Sequence, residues 1–118
     1  MRNTDVSFNV ELDNSNFPEK IIWKASDAGL EPNETKAISL NVWDHNQQNT
    51  LRIDLWTKEM RIDDMKKFFL DCLGGLAQTI LSSTGDTYLS NEVNALCDKL
   101  AKHIALENKP PEEPNQPS

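Results

Sequence analysis

The sequence predicts an α+β fold: a four-stranded antiparallel β-meander followed by a two-helix hairpin packed on one face of the sheet. Two observations carry this. Apolar residues alternate with polar ones in four short runs before residue 57, then recur at spacings of three and four from Met65 onward. Short polar segments join most of the runs, which suits antiparallel rather than parallel pairing. Strands first and helices afterwards is the order of an α+β chain.

Val6, Phe8, Val10 and Leu12 alternate with Ser7, Asn9 and Glu11, giving a half-buried first strand. Asp13–Asn14–Ser15–Asn16 has turn composition. Ile21, Trp23 and Ala25 form the core phase of a second strand, with Ile22 out of pattern. Residues 26–35, with Gly29 and Pro32, read as a loop. Ile38, Leu40 and Val42 supply the apolar phase of a third strand, and Leu51, Ile53 and Leu55 that of a fourth. Between them, 44–49 is a polar turn.

Met65, Phe68, Phe69, Cys72, Leu73, Leu76 and Ile80 then mark an amphipathic helix over about 61–83. Asp63 and Asp64 stand in its first turn, where the helix dipole favours them. Gly74–Gly75 inside it costs roughly 1 kcal/mol per glycine relative to alanine. Either a close helix crossing or a kink would account for the pair, and close packing is the simpler expectation. Gly85 is a natural stop. Leu89, Val93, Leu96, Cys97, Leu100 and Ile104 predict a second helix over about 88–106, capped by Thr87 or Ser90.

Residues 1–106 are expected to form a single α+β domain. Residues 107–118, ENKPPEEPNQPS, hold four of the six prolines and no large apolar side chain, the composition of a disordered tail. The net charge is −7 and the isoelectric point about 4.7. A phosphate backbone or an anionic membrane surface would be repelled, which argues against nucleic-acid binding and membrane association. The N-terminus alternates and has no apolar core of a signal peptide, no lipoprotein-type cysteine precedes Cys72, and no apolar run spans a bilayer. The expectation is a cytoplasmic protein with Cys72 and Cys97 reduced and buried.

Motifs for chemistry are few. The chain has no GxGxxG, P-loop, HExxH or CxxC pattern. Both cysteines fall on apolar helix faces, where a thiol is inert. Asp44 and His45, even with Asp54 and His103, make a poor metal set, and solvated turn residues explain the first two. No catalytic residue, cofactor or metal is therefore expected.

The informative stretch is NVWDHNQQNTLRIDLW, residues 41–56. Trp43 and Trp56 lie out of phase with the apolar faces of their strands, on the face that carries Arg52 and Asp54. Those two point the same way along one strand, about 6.5–7 Å apart. A bulge could turn either ring inward, neighbouring segments could cover them, or they could form a partner surface or line a ligand pocket. Trp and Arg are enriched in binding hot spots. The expected partner-binding residues are Trp43, Arg52, Asp54 and Trp56.

Here the sequence resembles a known family. NTLRIDLWTKEM, followed by DDMKKFF, is similar to the gliding motility protein GldC family of Bacteroidetes. So are FNVELDNSNFPEKIIWKASD near the start and SLNVWD before the turn. The resemblance covers residues 5 to about 84, with the second helix alike in character more than in letters. Arg61 stands where the family often has proline before the first helix. The resemblance implies a small accessory factor for gliding motility, linked in these bacteria to type IX secretion, with no catalytic motif to carry over.

Three functions compete. A non-enzymatic adaptor would hold a gliding-motility or secretion component on the hairpin formed by the third and fourth strands. A SecB-like holdase chaperone shares the order of four strands and two helices and would bind many secreted clients, although element order is a weak guide to function. An enzyme or small-molecule binder needs a pocket with convergent polar groups. A two-fold homodimer is also compatible with the self-complementary Arg52/Asp54 pair.

Overall fold

The computed structural model describes residues 1–27 and 31–107, in two compact units, one ending at Ile62 and the other beginning at Asp63. Gly29 of the expected loop and residues 108–118 of the expected tail lie outside the described residues.

The first unit holds five strands: β1 (Val6–Leu12), β2 (Pro18–Ala25), β3 (Asn33–Thr35), β4 (Ala37–Asp44) and β5 (Asn49–Trp56). They form two antiparallel sheets, β1-β2-β3 and β4-β5. The expected four-stranded meander holds in part: the pairing is antiparallel throughout, but the second expected strand pairs with Asn33–Thr35 instead of with the third, and the third and fourth form a sheet of their own. A short strand, β3, lies in the stretch read as a loop, and the chain bends at Lys36 between β3 and β4. Thr35 donates its hydroxyl to the Ala37 carbonyl (3.1 Å) across that bend, while the Lys36 carbonyl accepts the Thr57 N–H (2.9 Å). One long strand is thereby divided, its first part pairing with β2 and its second with β5.

Ile21 sits between Val10 and Thr35 on the central strand and is fully buried. Trp23, expected in the core, is half-buried between Phe8 and Asn33. The alternation in β1 marks the face correctly, but of its apolar residues only Val10 is shielded. The β1–β2 turn is held by Asp13, whose carboxylate accepts the N–H groups of Ser15 (2.8 Å) and Phe17 (3.0 Å). Asn16 takes the left-handed conformation there (φ 67°), as asparagine tolerates.

The second unit holds α1 (Ile62–Thr84), from its second residue on, and α2 (Thr87–Glu107), both within a residue of the expected bounds at each end. Glu107, by composition the first tail residue, closes α2. Gly85 ends α1 in the left-handed conformation (φ 70°), and its N–H reaches the Leu81 carbonyl (2.9 Å). The cap of α2 is Asp86, whose carboxylate accepts the Leu89 N–H (3.0 Å), not the expected Thr87 or Ser90. Ser90 is buried and donates its hydroxyl to the Ala77 carbonyl of α1 (2.9 Å). At the far end Lys66 pairs with Glu107 (2.9 Å).

Two expectations about the helices fail. An added Cβ at Gly74 or Gly75 would meet nothing within 4 Å, so close packing does not explain the glycines. Cys72 is exposed, because the better-covered stripe of α1 runs through Leu70, Leu73, Ala77 and Ile80, and Cys97 on α2 is half-buried. Phe69, Cys72 and Leu76 lie on the adjoining, open flank.

Candidate functional site

The β4–β5 ribbon is built by register. Ala37 faces Trp56, Ser39 faces Asp54, Asn41 faces Arg52 and Trp43 faces Thr50 on one side; Ile38 faces Leu55, Leu40 faces Ile53 and Val42 faces Leu51 on the other. Asp44 makes the turn. Its carboxylate accepts the N–H groups of Asn46 (2.9 Å) and Gln47 (3.3 Å), and Gln48 closes the loop with φ 55°. That role explains Asp44 without a metal.

Trp43 and Trp56 are 59% and 52% exposed, so neither is turned into a core. They stand at opposite ends of their face rather than side by side. The rows Trp43–Thr50 and Trp56–Ala37 are six residues apart along β5, or about 20 Å at about 3.3 Å per residue. Between them lies a fixed polar centre. Ser39 donates its hydroxyl to Asp54 Oδ1 (2.7 Å), and Arg52 Nη2 donates to Asp54 Oδ2 (3.1 Å). The Ser39 hydroxyl, more than any other group, holds the Asp54 carboxyl below the usual carboxylate range; burial opposes it, and the Arg52 guanidinium adds to the lowering. Asp54 is thus a fixed anion presenting acceptor capacity, not a proton donor near neutral pH.

The other face is apolar, half-buried at Ile38, Leu40 and Leu55 and open toward its tip. Burial follows position along the ribbon more than face: Ala37 at the base is buried, whereas Val42, Leu51 and Ile53 toward the tip are 48–54% exposed. Two strands alone cannot cover either of their own faces.

Phe17 was not legible as a site residue. It is exposed, lies under the Lys58 ammonium (5.6 Å to the ring centre) and shares a shallow cleft of about 220 Å³ with Pro18, Asp54, Leu55 and Trp56. A turn signature beside an aromatic residue was the available hint. A second cleft of about 240 Å³ lies between α1 and α2, lined by Leu70, Leu73, Leu100 and Ile104. Both are smaller than the roughly 300–1,000 Å³ usual for small-molecule sites. Among the described residues, no three His, Cys, Asp or Glu side chains are grouped to hold a metal ion, and no helix is long and apolar enough to cross a membrane.

The sequence pattern of the family described as gliding motility-associated protein GldC-like matches residues 18–106. That is about three-quarters of the chain. The chain belongs to the GldC-like family. The match runs from the first residue of β2 into the last turn of α2, so the whole ribbon lies within the family's pattern. It agrees with the resemblance carried by NTLRIDLWTKEM. No curated protein and no solved structure matches the chain.

Proposed function

We propose that this GldC-like protein is a non-enzymatic accessory protein of the Bacteroidetes gliding machinery linked to type IX secretion. It works as an adaptor, holding a protein component of that machinery on the Trp43–Arg52–Asp54–Trp56 face of the ribbon. One observation carries the reading. Two large aromatic rings stay exposed at either end of a face whose central ion pair is held in place by Ser39. Exposed aromatics around a pre-set charged pair are the anchors and the orienting groups of an interface.

The test is crosslinking and capture of tagged protein from its native cells, beside a Trp43→Ala/Trp56→Ala variant that keeps its circular dichroism. The expected result is one stoichiometric motility component, lost in the variant. An unchanged capture pattern from the folded variant refutes the site.

A holdase reading in the manner of SecB rests on a different observation. Exposed large apolar side chains occur on the strands (Val6, Val42, Leu51) and on the helices (Phe69, Leu76, Leu89). In the same experiment it predicts a broad spread of secreted clients instead of one partner.

A further inference from the structure

We propose that the free edge of β5 pairs antiparallel with β5 of a second copy of this chain, about a two-fold axis through Ile53. The axis stands perpendicular to the ribbon and makes one four-stranded sheet, β4-β5-β5-β4. This inference goes beyond the adaptor reading and does not depend on it.

The backbone comes first. Among the described residues, strand β5 has β4 on one side and no strand on the other. The Thr57 N–H donates to the Lys36 carbonyl, which sets the phase of the ladder. Residues 51, 53 and 55 then bond to β4, and Thr50, Arg52, Asp54 and Trp56 turn their N–H and C=O groups to the outer edge. A two-fold at Ile53 uses these groups, since it sets Arg52 opposite Asp54 of the copy and Thr50 opposite its Trp56.

Charge selects this register. Arg52 meets the copy's Asp54, and the copy's Arg52 meets Asp54, so two cross-strand ion pairs form. A two-fold at residue 52 would set arginine against arginine, and one at residue 54 aspartate against aspartate, both unfavourable. The free edge of β4 has no equivalent, because Ser39 and Asn41 carry no charge.

Both faces gain by the same operation. On the apolar side, Val42 and Leu51 continue into Leu55 and Ile38 of the copy, and the two Ile53 side chains become neighbours. The exposed Val42, Leu51 and Ile53 of each chain thereby gain apolar neighbours from the copy. On the polar side the row reads Trp43, Thr50, then the copy's Trp56. Tryptophan positions on rows about 20 Å apart in one chain come within two strand spacings, about 10 Å, across a small residue.

The test is sedimentation of the purified full-length chain over a concentration series. Wild type should sediment as a dimer that weakens with added salt. Arg52→Asp and Asp54→Arg each turn both cross-strand pairs into repulsions and should weaken association by at least about tenfold. An equal mixture of the two variants restores opposite charges in every pair and should recover association. Thr50→Pro removes an N–H from the outer edge while leaving the bonds to β4. It should give a folded monomer even if the charge variants prove unstable.

A monomeric wild type overturns the proposal. So does a mixture no better than its folded components, or a folded Thr50→Pro variant that stays dimeric. No motility component is present in these measurements. A monomer that still captures its partner in cells would sink the dimer alone, and a dimer without a partner would sink the adaptor alone.

Discussion

Replacing Gly74 and Gly75 by alanine should stabilise this protein. Both lie well inside the 23-residue α1, more than two turns from either end. Glycine there loses more backbone freedom on folding than alanine, a difference of roughly 0.8–1 kcal/mol per position. The usual offset is a steric clash of the new methyl group, and here there is none: each added Cβ meets nothing within 4 Å. Neither residue has positive φ, so alanine is not strained. The double variant should gain about 1.5–2 kcal/mol, the two positions adding because each acts on local backbone entropy. Urea unfolding followed by helical circular dichroism reads this as a higher midpoint at unchanged slope. A neutral or destabilised double variant would refute the reasoning. It would mean that these glycines face close contacts in solution, with another copy or another part of the chain.

Further expectations concern single side chains. Thr57 is buried and its hydroxyl has no hydrogen-bond partner among the described residues, so Thr57→Val should be neutral or stabilising in urea unfolding, by up to about 1 kcal/mol. Asp86→Ala removes the cap of α2 and should cost about 1 kcal/mol in the same measurement, whereas Asp86→Asn should retain most of it. Asp54 titrates below its ordinary value in the folded state. Its contribution to stability is therefore present above the ordinary carboxylate pKa and lost as pH falls through the lower folded value. Since the Ser39 hydroxyl is the largest cause, Ser39→Ala should move the Asp54 carboxyl back up in an NMR titration, and an unmoved titration would refute that cause.

Much of the fold is legible in the residues because its signals are local. The alternation at Val6–Val10 and Leu51–Leu55 and the three-and-four spacing from Met65 locate strands and helices to within a few residues, since side-chain periodicity is fixed by backbone geometry. Gly85 stops a helix because a left-handed residue is needed there, whatever surrounds it. The short β3 escaped because three residues, Asn33–Glu34–Thr35, are too few to show a period and form a strand only by pairing with β2. Ser90 looked like a cap because serine favours that position, yet the carbonyl of Ala77, thirteen residues earlier, claims its hydroxyl.

The candidate site divides in the same way. The sequence by itself determined that Trp43, Arg52, Asp54 and Trp56 share one face of a hairpin, because a strand's side chains alternate with period two. It also determined the family, through segments whose letters match in order. Only the tertiary structure decided that both rings are exposed, that they stand at opposite ends of the face, that Ser39 fixes Asp54, and that Phe17 borders the same cleft as Trp56. It also decided that Val42, Leu51 and Ile53, apolar and in phase, remain uncovered. The physical reason is that a period tells which way a side chain points. Whether anything lies there to cover it depends on chain brought in from elsewhere.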